Sequence, residues 1–464
     1  MLDTDDWYYI YYGRKAIPVL NDWNPARVFP EILMPACSEL AAYLFYPILK
    51  DYILSLTIGF AITVSLFIAV YFFLFVKLLG KNAIHSTFFQ ACMAGLFFLF
   101  HFSIFRTAFI NNRHMFFSQN ATCYFYYLIP ALLNCSLVMW MMTENFTEDF
   151  FNGEQIGKKS AFILCAYLAI FSNLYQSIVL PAYCAASLVL AIKEAFPLKE
   201  NCAQFIRKKA IYLLIITAWF ISATMEIGGG RAASLASGIS FQTALKNTIR
   251  IFLKNYNYMN KSFLLLVGIV LLENFAAFIL RRKAFQEASA KYRGIFFQCV
   301  LTGTIVLVFL ILICAKTGAE RIQLPDILFG FVFFAFFIII IACITCMERH
   351  PNIKLVLPVF LVILIFETNT HCRTFAEPNI LNLDPVTCKA VSDDIAEQII
   401  DAAKDGKSEM VLYVMDADTD DNWPHAMYAS QRFASALHKH GIIPKPITIT
   451  MEPSEEFNRK HQLG

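Results

Sequence analysis

Two adjacent carboxylates, Asp5 and Asp6, open a polar and aromatic stretch near the beginning of the sequence. Carboxylate side chains can act as general bases or hold a divalent metal ion. A solvated turn or the N-cap of a helix would also explain an Asp-Asp pair. We predict that Asp5 and Asp6 are catalytic because of the residues that follow them.

Those residues supply flat ring faces and positive charges. Trp7 and Tyr8 are followed by further tyrosines, and aromatic faces of this kind suit sugar rings. Arg14 and Arg27 carry guanidinium groups, which bind phosphate oxygens. We therefore predict that these four residues bind substrate beside the two carboxylates.

A candidate anion site follows much later in the chain, at Glu226–Arg231, where three consecutive glycines precede the arginine. Glycines at the exit of a helix let backbone N–H groups approach an anion closely. Arg231 would then bind a donor phosphate, with Glu226 beside it. A flexible hinge with an arginine that reaches to the membrane surface is the alternative.

A third candidate site is the stretch from Arg113 to Tyr127, which contains Asn120 and Tyr124. We expect this stretch on the same side of the membrane as the first two, where Asn120 and Tyr124 would line a sugar pocket. An aromatic belt at the membrane surface explains the tyrosines as well.

Two ionisable residues, His101 and Glu273, fall inside apolar stretches. Such groups are costly within a membrane and usually face the bundle or a cavity. Glu273 either pairs with a neighbouring helix or marks a transport path. Asn173 and Gln176 are expected to hydrogen-bond between helices.

The composition is that of a membrane protein. Of 464 residues, 58% are hydrophobic and 16% are charged, with a mean hydropathy of +0.55. The apolar residues fall in blocks of about 18–25, the length that crosses a hydrocarbon core of about 30 Å, and the 46 phenylalanines suit lipid-facing helices. We predict an all-α polytopic membrane bundle of about ten transmembrane helices, near residues 53–78, 84–106, 123–143, 160–173, 177–196, 210–227, 263–280, 295–315, 327–347 and 354–367.

The positive-inside rule predicts the sidedness of these helices. Basic residues cluster in alternate short loops, which we place in the cytoplasm: 77–81, 158–159, 193–209, 281–293 and 349–354. The remaining segments are then outside: 1–51, 107–122, 228–262, 316–326 and all residues after 368. An outer N-terminal segment requires either a translocated tail or a further helix upstream of Met1, and we favour the further helix.

Three regions follow from this pattern. Residues 1–51 form an outer loop with an interfacial helix at 36–49. Residues 52–369 form the transmembrane domain, whose outer loop 228–262 contains a basic amphipathic helix on the membrane surface. Residues 370–464 form a small soluble α/β tail on the outer face, with helices at Val391–Ala403 and Ala426–His440 and strands at Met410–Met415 and Ile447–Met451. So small a core is marginal alone, so we expect it to lean on the bundle or on a partner.

The acidic pair, its aromatic neighbours and Gly13-Arg14 in a first outer loop resemble the GT-C class of integral membrane glycosyltransferases. The chain is similar to bacterial multi-pass proteins of the O-antigen glucosyltransferase kind, by motif over residues 5–31 and by topology over 53–367. The resemblance implies that Asp5 or Asp6 is the catalytic base of an inverting sugar transfer. It implies a polyprenyl-phosphate-linked sugar donor, a glycan or other cell-envelope acceptor, and a location in the bacterial inner membrane with an extracytoplasmic active site.

Two other functions stay open. A transporter or flippase of a lipid-linked or small polar substrate would use Glu273, and a non-catalytic scaffold for envelope assembly would recruit partners through residues 389–464. The net charge of +3 does not indicate a nucleic-acid partner. No cofactor is predicted, and a divalent metal at the carboxylate pair remains an alternative.

Smaller motifs are weaker signals. Asp416–Asp421 has the composition of a calcium loop but lacks the glycine and the distal glutamate of an EF-hand, which favours a solvated loop. Cys343 and Cys346 form a CxxC inside an apolar run, which favours helix packing. Cys372 and Cys388 are candidates for a disulfide on an oxidising face.

Overall fold

The computed structural model describes most of the chain, with gaps between its ranges. The described residues are 2, 4–12, 29–82, 86–105, 114–118, 120–144, 150, 156–195, 202–228, 240–280, 283–349, 357–371, 383–416 and 430–463. Predictions that concern Arg14, Arg27, Arg231, Cys372 or residues 417–421 lie outside these residues.

Within the described residues, eight helices are long and apolar enough to cross a membrane. Their spans are Phe29–Leu49, Tyr52–Lys81, Ala121–Glu144, Leu174–Lys193, Ala210–Ile227, Lys261–Ile279, Ala290–Thr317 and Pro325–Arg349. The prediction of a helical membrane protein is confirmed. Seven of the eight coincide with predicted spans.

We predicted about ten transmembrane helices, and eight described helices are long enough to be candidates. Three predicted spans form helices of only 15–17 residues: Thr87–Ser103, Ile156–Ile170 and Leu357–His371. The eighth long helix, Phe29–Leu49, replaces the shorter interfacial helix expected at 36–49. Pro30 did not stop it, because a proline in the first helical turn lacks only an N–H that would have no partner there.

The described residues also form shorter helices. They are Thr4–Tyr9, Cys202–Lys208, Phe241–Lys254, Pro385–Lys404, Ser430–Lys439 and Glu455–Lys460. Two 3₁₀ turns, Asn255–Tyr258 and Ala319–Gln323, join helices at one end of the bundle. The helix Phe241–Lys254, called here the surface helix, has three bases and no acid, as the amphipathic pattern predicted.

Two helices form the centre of the bundle. In the most apolar stretch of Pro325–Arg349 and of Ala121–Glu144, 78% of the residues are buried. In Lys261–Ile279 only 11% are buried, so this helix faces outward. Phenylalanines fill this centre, for example Phe75 stacked on Phe97 with ring centroids 3.9 Å apart. Many phenylalanines therefore pack inside rather than facing lipid as expected.

One glycine permits a close contact between two helices of the bundle. A Cβ atom on Gly330 would lie 2.3 Å from Cγ2 of Val179, a separation that real Cβ atoms do not tolerate. The backbone of Pro325–Arg349 thus approaches the helix Leu174–Lys193 directly. Small residues of this kind set the spacing of membrane helices.

The C-terminal unit, residues 383–416 and 430–463, has the predicted order of helix, strand, helix and strand. Its strands Glu409–Met415 and Thr448–Ser454 pair in parallel, with Leu412 opposite Met451. Glutamine side chains occupy both outer edges of this sheet. Gln398 donates to the C=O of Tyr413 and accepts from its N–H, each at 3.0 Å. Gln431 donates to the C=O of Ile447 and accepts from the N–H of Ile449 in the other strand.

The C-terminal unit shares one hydrophobic core with the N-terminal segment. Trp7 packs edge-on against Phe433, with ring centroids 3.6 Å apart. His440 is 2% exposed, and its Nδ1 lies 2.7 Å from the hydroxyl of Tyr52. Burial lowers the pKa of His440 to about 4, so this ring is neutral at pH 7. The C-terminal unit therefore packs on the bundle, as its small size led us to expect.

Candidate functional site

The helix Thr4–Tyr9 places its two carboxylates in different surroundings. Asp6 is fully buried, and its carboxylate accepts hydrogen bonds from the N–H of Thr122 at 2.6 Å, from the Thr122 hydroxyl at 2.5 Å and from the N–H of Ala121 at 3.2 Å. These N–H groups belong to the first turn of the helix that begins at Ala121. A carboxylate at a helix N-terminus satisfies orphan donors and complements the helix dipole. The hydrogen bonds of Asp6 thus hold the N-terminal segment against the bundle.

Asp5, the neighbouring residue, is exposed and lines a cavity of about 180 Å³, called here the Asp5 cavity. Helix ends from five parts of the chain form its walls. The lining residues are Asp5, Tyr9, Asn120, Thr122, Cys123, Tyr126, Tyr127, Asn173, Leu174, Tyr175, Glu226, Ile227, Ile313, Lys316, Thr317 and Arg321.

Three of the predicted site residues meet in this cavity although they are far apart in sequence. Asp5, Asn120 and Glu226 all line it. Asn120 also caps its helix, because its Oδ1 accepts a hydrogen bond of 2.9 Å from the N–H of Cys123. The wall next to it is formed by Asn173, which caps the helix that begins at Leu174. Two carboxylates and two amide side chains therefore face one space.

Two cations in the cavity, Lys316 and Arg321, were not among the predicted site residues. They flank the turn after the helix that ends at Thr317, where Gly318 adopts a φ of +132°, a conformation that favours glycine. The chain reverses direction at this turn, so that Lys316 before it and Arg321 after it both line the Asp5 cavity. Their sequence signal was two bases in a short outer loop between two apolar runs, at 316–326.

Tyrosine hydroxyls surround the guanidinium of Arg321. Tyr175 contacts Thr317, with Oη and Oγ1 2.5 Å apart, and Tyr127 lies on the same wall. Burial alone would lower the pKa of Arg321, but interactions with Tyr175 and Tyr127 outweigh it and raise that pKa. The side chain therefore stays cationic at any physiological pH, which suits it to bind an anion.

Other predicted site residues lie elsewhere. Trp7 packs on the C-terminal unit, and Tyr8 stacks on Tyr12 with ring centroids 4.7 Å apart. Arg432 lies 5.1 Å from the centre of the Tyr8 ring, and burial together with Tyr12 raises the pKa of Tyr8 to about 12. Tyr124 sits in a π-helical turn and does not line the Asp5 cavity.

The ionisable residues of the apolar stretches have partners within the bundle. Glu273 forms an ion pair with Arg349, which also donates to Oδ1 of Asn274 at 3.0 Å. Nδ1 of His101 lies 2.7 Å from the carbonyl oxygen of Phe97, and Nε2 lies 3.0 Å from the hydroxyl of Tyr71. These contacts are those of helix packing.

In the part of the chain that the structure describes, no group of three or more His, Cys, Asp or Glu residues could hold a metal ion. Comparison with models of protein families, with curated proteins and with solved structures finds no match to this chain.

The Asp5 cavity brings an exposed carboxylate and two cationic side chains together. The two carboxylates balance the two cations in formal charge. An exposed carboxylate can take a proton from a hydroxyl group, and two cations can hold a phosphate. Two substrates, one with a hydroxyl nucleophile and the other with a phosphate leaving group, fit this set of side chains.

Proposed function

We propose that the chain is an integral membrane glycosyltransferase of the GT-C type. It moves a sugar from a polyprenyl-phosphate donor to a hydroxyl of a cell-envelope glycan. One observation supports this proposal most strongly: Asp5, Asn120 and Glu226, named from separate stretches of sequence, line one cavity together with Lys316 and Arg321. That cavity lies at the ends of membrane-spanning helices, where a lipid-borne donor meets a water-soluble acceptor.

The transfer is a single displacement at the anomeric carbon. Asp5 takes the proton from the acceptor hydroxyl, the acceptor oxygen forms a bond to that carbon, and the bond from the carbon to the phosphate oxygen breaks. The electron pair leaves with the polyprenyl phosphate. Lys316 and Arg321 stabilise the charge that develops there. One displacement inverts the configuration.

Asp5 is preferred to Asp6 as the base because of their hydrogen bonds. The carboxylate of Asp6 is buried and accepts three hydrogen bonds from the first turn of a helix. A base has to reach the proton that it removes. Asp5 is exposed in the cavity and meets this condition.

We place the cavity on the extracytoplasmic side of the membrane. The bases assigned to inner loops pair at the helix ends opposite to the cavity, as Lys77 and Lys158 do with Glu144. By the positive-inside rule, the cavity and the C-terminal unit then face the extracytoplasmic side of a bacterial inner membrane. The C-terminal unit would guide the acceptor.

The experiment is complementation of cells that lack the gene, followed by mass spectrometry of their envelope glycans. Asp5→Asn should reduce the transferred sugar at least about 100-fold, the usual size of a lost general base. Asp401→Asn, a surface aspartate paired with Lys404, is the matched control and should restore the glycan. Full complementation by Asp5→Asn at equal protein level would contradict the proposal.

A further inference from the structure

A second cavity, of about 290 Å³, is an apolar groove on the outward face of the bundle. The surface helix and its 3₁₀ turn form its upper rim, and the helices Lys261–Ile279 and Pro325–Arg349 form its sides. It shares no lining residue with the Asp5 cavity. Those lining it are Ile104, Phe105, Phe252, Leu253, Asn255, Tyr256, Met259, Phe263, Leu264, Val267, Leu328, Phe331, Val332, Ala335, Phe336 and Ile339.

The groove follows the direction of the membrane helices. Its lining on one helix extends from Leu328 to Ile339, which at 1.5 Å per residue is about 17 Å. The two side chains at its rim, Leu253 and Tyr256, are each 67% exposed. A cavity of this length with an apolar lining can hold a hydrocarbon chain.

The rim carries only positive charge. The segment 240–261 contains Lys246, Arg250, Lys254 and Lys261 and no acidic residue. Arg250 and Lys254 are one helical turn apart, and Lys254 follows the groove residue Leu253 directly. An anionic headgroup above the groove would therefore meet bases from two helices.

Asn255 links the groove to the rest of the bundle and adds a polar group to its wall. Its side chain is buried, and Nδ2 donates a hydrogen bond of 3.0 Å to the carbonyl of Ile322. Asn255 lines the groove, and its Oδ1 has no hydrogen-bond partner among the described residues. A buried acceptor of this kind is costly unless a ligand donates to it.

We propose that this groove binds one anionic phospholipid, with a hydrocarbon chain between the two membrane helices and the phosphate among Arg250, Lys254 and Lys261. A headgroup hydroxyl would donate to Oδ1 of Asn255. Apolar contact alone selects no lipid within a bilayer, since the surrounding chains are equally apolar. The bases supply the selectivity, and the binding does not depend on sugar transfer.

The test uses the full chain reconstituted in vesicles of equal parts phosphatidylglycerol and phosphatidylcholine, followed by native mass spectrometry. The unchanged chain should retain one phosphatidylglycerol. Ala335→Phe fills the groove and should reduce retention at least tenfold. Gly268→Phe is its matched control, because a Cβ at Gly268 meets no atom within 4 Å, and it should retain the lipid.

A second pair of variants tests the charge. Arg250→Gln and Lys254→Gln lie on an exposed helix face and should each reduce the preference for phosphatidylglycerol about fivefold. Lys407→Gln, an exposed lysine of the C-terminal unit, should leave it unchanged. Equal retention of the two lipids by the unchanged chain would overturn the proposal. So would an unaltered preference in both charge variants, even if Ala335→Phe did not fold.

Discussion

At the scale of single residues, the two neighbouring aspartates are distinguished by their surroundings. One helical turn buries Asp6 against the helix that begins at Ala121 and leaves Asp5 exposed in the cavity. Adjacent positions on a helix point about 100° apart, which lets neighbouring aspartates face different surroundings. The sequence pointed to this pair but could not divide its roles, because the partner of Asp6 lies 116 residues away.

Asp6→Asn should lower stability and Asp5→Asn should not. The buried Asp6 carboxylate accepts charge-assisted hydrogen bonds, each worth about 1.5–3 kcal/mol. We expect Asp6→Asn to lower the free energy of unfolding by about 2 kcal/mol, measured by thermal unfolding in detergent. Thr122→Val, which removes one of its donors, should lower it in the same direction. An equal melting temperature for Asp5→Asn and Asp6→Asn would contradict this division.

Arg321 should act on the donor. Its guanidinium stays charged and lines the cavity, so Arg321→Gln removes a cation from the proposed phosphate site. We expect transfer to fall about 100-fold, with the larger part in kcat, because the phosphate charge grows as the bond breaks. Glu320→Gln, exposed on the same turn, is the control. Unchanged kcat and KM for Arg321→Gln would remove Arg321 from the phosphate site.

At the scale of elements, the long apolar runs were predictable because hydrocarbon thickness fixes their length. Their contacts were not, since contacts depend on side chains distant in sequence. The helix Phe29–Leu49 shows the difference: prolines broke its pattern in sequence, yet it extends over 21 residues. The glutamines that occupy both sheet edges likewise gave no sequence signal.

Gly330→Ala should separate the helices Leu174–Lys193 and Pro325–Arg349. The added Cβ would lie 2.3 Å from Cγ2 of Val179, so the backbones have to move apart. Overpacking of this kind costs about 1–3 kcal/mol. We expect a lower melting temperature in detergent, and Val179→Ala in the same chain should restore most of it. A melting temperature unchanged by Gly330→Ala would show that the helices are not packed so closely.

Docking of the C-terminal unit should weaken in acid. Buried His440 faces Tyr52 and Ser38, with Glu39, Lys439 and the Ile10 backbone nearby, and its folded pKa of about 4 is below the ordinary 6.5. The pKa of His440 is lower in the docked unit than in the free side chain. The stability that this difference adds to docking is therefore fully present above pH 6.5 and is lost as the pH falls towards 4. The loss between pH 7.5 and 5 is about 2 kcal/mol.

Hydrogen exchange of the helix Ser430–Lys439 measures this docking. Protection should fall between pH 7.5 and 5 after correction for the intrinsic exchange rate. His440→Gln should remove most of the pH dependence, whereas His438→Gln should preserve it. A pH-independent protection in the unchanged chain would show that His440 does not report on docking.

At the scale of the whole molecule, membrane class and the order of elements could be read from composition and periodicity. The sequence predicted that Asp5, Asn120 and Glu226 lie on the same side of the membrane. Only the structure shows that they line one cavity. Lys316 and Arg321 were missed because two bases in a short outer loop do not by themselves mark the turn at Gly318 as part of a site. Convergence of distant loops is a property of the bundle and not of any segment.

We propose that the Asp5 cavity transfers a sugar from a polyprenyl phosphate. The most direct measurement is release of polyprenyl phosphate by the purified chain in nanodiscs. The donors would be a panel of polyprenyl-phosphate monosaccharides, and extracted envelope glycans would serve as acceptor. We predict release from at least one donor, at least about 100-fold slower in Asp5→Asn and Arg321→Gln and unchanged in Asp401→Asn. Release at the unchanged rate in both cavity variants, or release from no donor, would contradict the account.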